Sequence, residues 1–184
     1  MRKIFIDCGG HVGESIELFK SSKEYTDDFE IYSFEPAPNV AKEYKDWKGI
    51  NFSDKAIWVY DGTITFYLAA ITDGNTLFKG KQTGHIDRDN PIDVGCIDFS
   101  QWVIKNFSQK DYIILKMDIE GAEFRVIDKM LKDGAMDYIN KLYLEWHFAF
   151  DGFPDSVRYN RLLVELADSD VKVYPEMQKV IKER

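Results

Sequence analysis

The sequence is poor in the residues that would tie a small fold together covalently. It holds 2 cysteines and 5 prolines in 184 residues, and Cys8 and Cys96 form neither a Cys-x-x-Cys pair nor a metal-ligand spacing. A disulfide scaffold and a zinc module are therefore excluded, and both thiols read as small buried residues of a reducing compartment. Basic charge is scarce as well: 24 Lys and Arg stand against 32 Asp and Glu, for a formal net charge of -8. Nucleic-acid binders carry a basic face, so no duplex nucleic acid is expected as a partner. No apolar run reaches membrane-spanning length, and Met1-Arg2-Lys3 is followed by only three apolar residues before Asp7. That is too short for the core of a signal peptide, and the chain is expected in the cytoplasm. Also missing are the Gly-x-Gly-x-x-Gly dinucleotide fingerprint and the Gly-Lys-Ser/Thr of a phosphate loop. Nothing in the sequence specifies an oligomeric state.

What is present suits one globular domain over residues 1–184. Hydrophobic residues make up 45% and aromatic residues 15%, enough for a sizeable core, with no internal repeat or linker. Apolar runs predict strands over 4–6, 30–34, 50–52, 56–60, 92–97, 112–117, 138–145 and 171–174. Helical spacing predicts helices over 14–22, 39–47 with Asn39 as N-cap, 98–107, 122–131 and 156–167. Asp61-Gly62 reads as a hairpin turn leading into a strand over 63–68. Residues 72–91 are rich in Gly, Asp, Asn and Lys without periodicity, a long loop expected to shape a substrate site and to move without substrate. Strands alternating with helices predict an α/β fold, a mostly parallel central sheet with helices on both faces.

In such sheets ligands bind beyond the carboxyl ends of the strands, where strand order reverses. The first strand leaves into Asp-x-Gly-x-x-x-Gly, made by Asp7, Gly9 and Gly13. Glycines let a backbone approach a ligand closely, and an acid before them suits a ligand with an amine and a sulfonium better than phosphates. The second strand ends on Glu35-Pro36, where an acid commonly accepts from both ribose hydroxyls. Lys55-Ala56, after the third strand, lie where backbone groups would read an adenine edge. Further along, Lys116, Asp118 and Glu120 alternate onto one face at the end of a buried strand. Glu145 and His147 repeat the pattern on the next. Charges there are costly unless paired or turned to a ligand.

Taken together these segments resemble the FkbM family of S-adenosylmethionine-dependent methyltransferases. Four segments match in order: Phe-Ile-Asp-Cys-Gly-Gly-His-Val-Gly from Phe5, Phe-Glu-Pro ending at Pro36, Lys-Ala-Ile from Lys55 with the following Asp-Gly-Thr-Ile-Thr-Phe-Tyr, and Ile-Leu-Lys-Met-Asp-Ile-Glu-Gly-Ala-Glu from Ile114 to Glu123. The last is the most specific. The resemblance implies a Rossmann-like class I methyltransferase fold and S-adenosyl-L-methionine as cofactor. It implies that Asp7, Gly9, Gly13 and Glu35 contact that cofactor, while Asp118 faces its methionine end or the acceptor. It also implies O-methylation of a sugar, glycan or other small-molecule hydroxyl. Two departures stand out: one clear strand, not two, follows the last helix, and Cys8 and His11 sit inside the first turn.

A hydroxyl acceptor needs a base, for which Asp118 and His147 are the candidates. Glu120 and Glu145 would support them, and Lys116 would balance charge. The carboxylates and His147 converge, but no tight ligand motif is present and no metal ligand is assigned. Two rival readings are a nicotinamide-dependent oxidoreductase on a similar sheet and a catalytically silent member that binds cofactor or a partner protein.

Overall fold

Two runs without polar alternation form the middle of the molecule, because a strand buried on both faces has no solvent side to mark. In this computed structural model, which describes residues 1–70, 74–148, 156–175 and 177, these runs are β1 (Lys3–Cys8) and β7 (Tyr112–Met117), each buried from its second residue to its last. The first half of the chain runs β1, α1 (Glu14–Lys20), β2 (Phe29–Phe34), α2 (Pro38–Ala41), β3 (Ile50–Ser53), β4 (Ala56–Trp58) and β5 (Gly62–Phe66). The second runs β6 (Ile92–Asp98), α3 (Phe99–Asn106), β7, α4 (Glu123–Asp133), β8 (Lys141–Leu144), α5 (Ser156–Ala167) and β9 (Lys172–Tyr174).

Six strands make one sheet in the order β3-β2-β1-β7-β8-β9, and every pairing in it is parallel. The chain moves outward from β1 to β3, then crosses back to β7 and moves outward the other way. The reversal point thus lies between β1 and β7, and their carboxyl ends open the crevice in which ligands bind. Residues of β1 alternate between two apolar clusters. Ile4, Ile6 and Cys8 pack with Val103 of α3, Ile127 of α4 and Leu162 of α5. Phe5 faces the other way, onto Ile16 and Phe19 of α1, with the Phe5 and Phe19 rings stacked at 4.2 Å. Helices therefore cover both faces, as expected of a Rossmann-like α/β sheet. Among the described residues no helix is long and apolar enough to cross a membrane.

Several local expectations are corrected. Residues 56–60 and 63–68 do not form a hairpin. β4 and β5 pair instead with β6, one on each side, in a separate three-stranded sheet. Asp61 does not turn a hairpin; its carboxylate accepts from the backbone N–H of Asp98 at the end of β6. Asn39 caps nothing: Pro38 opens α2 after Ala37, and the helix tightens to a 3-10 turn over Lys42–Asp46. Proline at the first helical position needs no donor there, so the start shifts forward. The strand expected from residue 138 begins at Lys141, after a 3-10 turn over Ala135–Tyr138.

Candidate active site

The turn after β1 is shaped by how closely it meets β7. Gly9 sits at φ 81°, and a Cβ there would lie 1.8 Å from the carbonyl oxygen of Asp118, so only glycine fits. The backbone N–H groups of Gly9 and Gly10 both donate to the Phe34 carbonyl at 3.0 Å, which binds the turn to the end of β2. Glu35 follows directly. It is 6% exposed, and its two oxygens accept separately from His11 N–H (3.0 Å) and Ala37 N–H (2.8 Å). Burial raises its pKa despite these two donors.

Beneath the turn lies a buried charge group. Lys116 Nζ donates to the Gly9 carbonyl at 2.7 Å and stands 3.3 Å from Asp7 Oδ1 and 3.4 Å from Asp118 Oδ2. Asp7 is fully buried, and its oxygens accept no well-formed hydrogen bond. Burial pushes its pKa up to about 6, with Lys116 opposing the rise. Burial alone would discharge Lys116, but Asp7 and Asp118 outweigh it and hold the ammonium charged.

A second group gathers where β7 and β8 end. Glu120 adopts φ 55°, a left-handed conformation uncommon for a residue with a side chain, and Thr76 Oγ donates to its carbonyl at 2.6 Å. Its carboxylate pairs with Lys81, which is 2% exposed and also donates to the Gly74 carbonyl at 2.7 Å. Glu123, at the start of α4, accepts from Ile119 N–H (2.8 Å) and Gly121 N–H (3.0 Å), then meets His147 Nδ1 at 2.9 Å. His147 Nε2 faces Asp118 at 3.8 Å and Glu120 at 3.5 Å. Burial would lower the His147 pKa, but the bond to Glu123 and the surrounding carboxylates push it up to about 9.

One cavity of about 630 Å³ joins the two groups, a size suited to a small-molecule cofactor with its substrate. Gly9, Gly10, His11, Glu35 and Pro36 line one end, with Ala56 and Ile57 beside them. Lys116, Asp118, Glu120, Glu145 and His147 line the other. The loop after β5 supplies Gly74, Asn75, Leu77, Lys81, Thr83 and Gly84, closing the wall between them.

The sequence matches the family described as Methyltransferase FkbM domain over residues 7–173. The chain belongs to the FkbM methyltransferase family. No curated protein and no solved structure matches it.

Most residues singled out in the sequence come together in the cavity wall: Gly9, Glu35, Pro36, Ala56, Asp118, Glu120 and His147, with Lys116 and Glu145. Three stand elsewhere. Asp7 lies behind the wall, one contact away through Lys116. Gly13 opens α1 at φ 96° against the indole of Trp47. Lys55 is exposed and lies along Gly95 of the small sheet. Lys116 and Asp118 meet, as strand alternation predicts, and Glu120, though its backbone is left-handed, lines the same end of the cavity. Sequence reasoning missed Lys81, for which a lone lysine in a polar loop gives no signal. It also gave Glu123 no role beyond closing the FkbM-like segment from Ile114. The Glu-Gly-Ala-Glu spacing carried a further hint, since an acid there can reach back to the N–H groups of the turn before it.

Proposed function

We propose that this FkbM methyltransferase moves the methyl group of S-adenosylmethionine to a hydroxyl oxygen of a sugar, glycan or other small-molecule acceptor. The observation that carries the reading is the single cavity with Glu35 and the glycine turn at one end and the Asp118–His147 group at the other. Glu35 is held by two backbone donors, which leaves carboxylate lone pairs for ribose hydroxyls. Pro36, Ala56 and Ile57 beside it offer an apolar bed for adenine. Both lysines of the wall are already engaged by carboxylates. Such a wall suits a cationic sulfonium, and it supports a methyl donor over a nicotinamide dinucleotide, whose diphosphate wants free donors.

Methyl transfer is an in-line displacement. The acceptor oxygen attacks the methyl carbon opposite the sulfur, the C–O bond forms as the C–S bond breaks, and the hydroxyl proton leaves to a base. The protein mainly supplies orientation. Asp118 is the proton acceptor in this reading. His147 carries its own proton below about pH 9, so it orients Asp118 and the acceptor together with Glu120. Calorimetry with S-adenosylmethionine, followed by transfer of a labelled methyl group to a panel of sugars and glycans, tests the proposal. Absence of cofactor binding by the folded protein would overturn it.

A further inference from the structure

We propose that the carboxyl ends of β7 and β8 form a divalent-cation site, with Asp118 and His147 Nε2 as direct ligands and Glu123 fixing the imidazole from behind. The proposal rests on the methyl-transfer reading only for what the ion would do, not for where it binds.

Glu123 is the anchor. It is 1% exposed and bound to the N–H groups of Ile119 and Gly121, so its position is set by the turn that starts α4. Its bond to His147 Nδ1 keeps a proton on that nitrogen and turns Nε2 toward the cavity, where a bound ion takes the place of the second imidazolium proton. A carboxylate behind the far nitrogen of a histidine is the support that orients metal-binding imidazoles and raises their basicity. Nε2 then faces Asp118 Oδ1 at 3.8 Å and Glu120 Oε2 at 3.5 Å. Both distances are longer than a good hydrogen bond. The Asp118 separation is a few tenths of an ångström wider than that of two ligands on one ion, which at about 2.1 Å from the metal stand roughly 3.0–3.5 Å apart. Asp118, Glu123 and His147 together bring ligand atoms within 4.8 Å of one another.

Charge and access agree with this. Four carboxylates, Asp118, Glu120, Glu123 and Glu145, crowd these strand ends, and the nearby ammonium groups are committed. Lys116 serves Asp7, Asp118 and the Gly9 carbonyl, while Lys81 serves Glu120 and the Gly74 carbonyl. Asp118 and His147 both line the cavity, so water or an acceptor oxygen completes the shell. A mixed imidazole and carboxylate set suits Mn²⁺ or Zn²⁺ better than Ca²⁺. An acceptor hydroxyl on that ion would lose its proton more readily, which ties the site to O-methylation.

The test titrates Mn²⁺ alone into metal-stripped, full-length protein without methyl donor, reading free Mn²⁺ by electron paramagnetic resonance and heat by calorimetry. One saturable equivalent is expected, weakened at least about tenfold in Asp118→Asn and in His147→Ala, and roughly 10–100-fold in Glu123→Gln, as for lost support behind a metal-binding histidine. No saturable binding by the wild-type protein, tested with Zn²⁺ as well, overturns the proposal whatever the variants do. Equal affinity in folded Asp118→Asn and His147→Ala overturns it too. S-adenosylmethionine affinity, measured on the same stripped protein, keeps the two readings apart. Donor binding without Mn²⁺ binding removes the cation alone, and Mn²⁺ binding without donor binding removes the methyl-transfer reading alone.

Discussion

Replacing Lys116 with methionine should expose how much the cavity floor depends on one buried ammonium. In the wild-type protein Asp7 is fully buried and its pKa stands at about 6 against an ordinary 3.8. At 1.36 kcal/mol per unit, ionised Asp7 costs the folded state about 3 kcal/mol even with Lys116 beside it. The folded chain holds this proton more tightly than the unfolded one. Asp7's contribution is therefore full below about pH 4 and lost as pH rises through about 6. Lys116→Met removes the opposing charge, so Asp7 must stay protonated at still higher pH or remain as an unpaired buried anion. It also strips the donor from the Gly9 carbonyl and the nearest cation from Asp118. Breaking a buried pair on one side costs about 3–5 kcal/mol, which is the loss expected at pH 8. At pH 5 Asp7 is largely neutral in both proteins, and the loss should shrink by a third or more. Urea unfolding followed by tryptophan fluorescence at the two pH values measures this directly. Asp7→Asn on the Lys116→Met background should recover part of the loss, since Asn keeps the shape without the charge. A Lys116→Met deficit that is equal at pH 5 and pH 8, or no recovery in the double variant, would refute the reasoning.

The other expectations concern cofactor, loop and chemistry. Glu35→Ala should weaken S-adenosylmethionine by on the order of 2 kcal/mol in calorimetry, through lost charge-assisted bonds to the ribose; unchanged affinity in a folded variant removes that role. Lys81→Met removes the buried ammonium paired with Glu120 and leaves His147 as its cationic neighbour. With Glu120 19% exposed, a stability loss of about 1–3 kcal/mol and faster hydrogen exchange over residues 74–84 are expected, and wild-type exchange there would count against Lys81 as the tie. Asp118→Asn should lower turnover by roughly 10²-fold with the fold intact. Donor affinity that holds would place Asp118 at the acceptor, and affinity that drops would place it at the methionine end.

Much of the fold was readable because its central strands carry their own signature. Buried runs such as Ile113-Ile114-Leu115 allow no exposed face, and the glycines after β1 announce a turn that a ligand approaches. Part of the cavity wall was readable for the same reason, since Gly9, Glu35 and Asp118 all leave a strand at its carboxyl end. The small sheet was hidden by sequence distance. Asp61-Gly62 looks like a hairpin turn only when its neighbours are considered. β6, whose first residue is Ile92, takes both partners, and with seven residues it covers the full length of β4 and β5. A local turn signal loses to a longer strand that pairs on both edges.

Lys81 shows the same limit at the site itself. A lysine between Gly80 and Gln82 reads as solvated loop, and residues 72–91 as a whole were expected to shape the substrate site by being polar and free to move. The described part lines the cavity, but it reaches there through a buried ion pair to a residue 39 positions away. That partner, Glu120, has a left-handed backbone and lines the cavity beside Asp118. Burying an ammonium is costly without its carboxylate, so the loop's place over the cavity and the charge of the Asp118–His147 group are set together. Neither side of the pair explains its own sequence. Glu120 looks like one acid among several leaving β7, and Lys81 like one cation among several in a loop, until the fold puts them in contact.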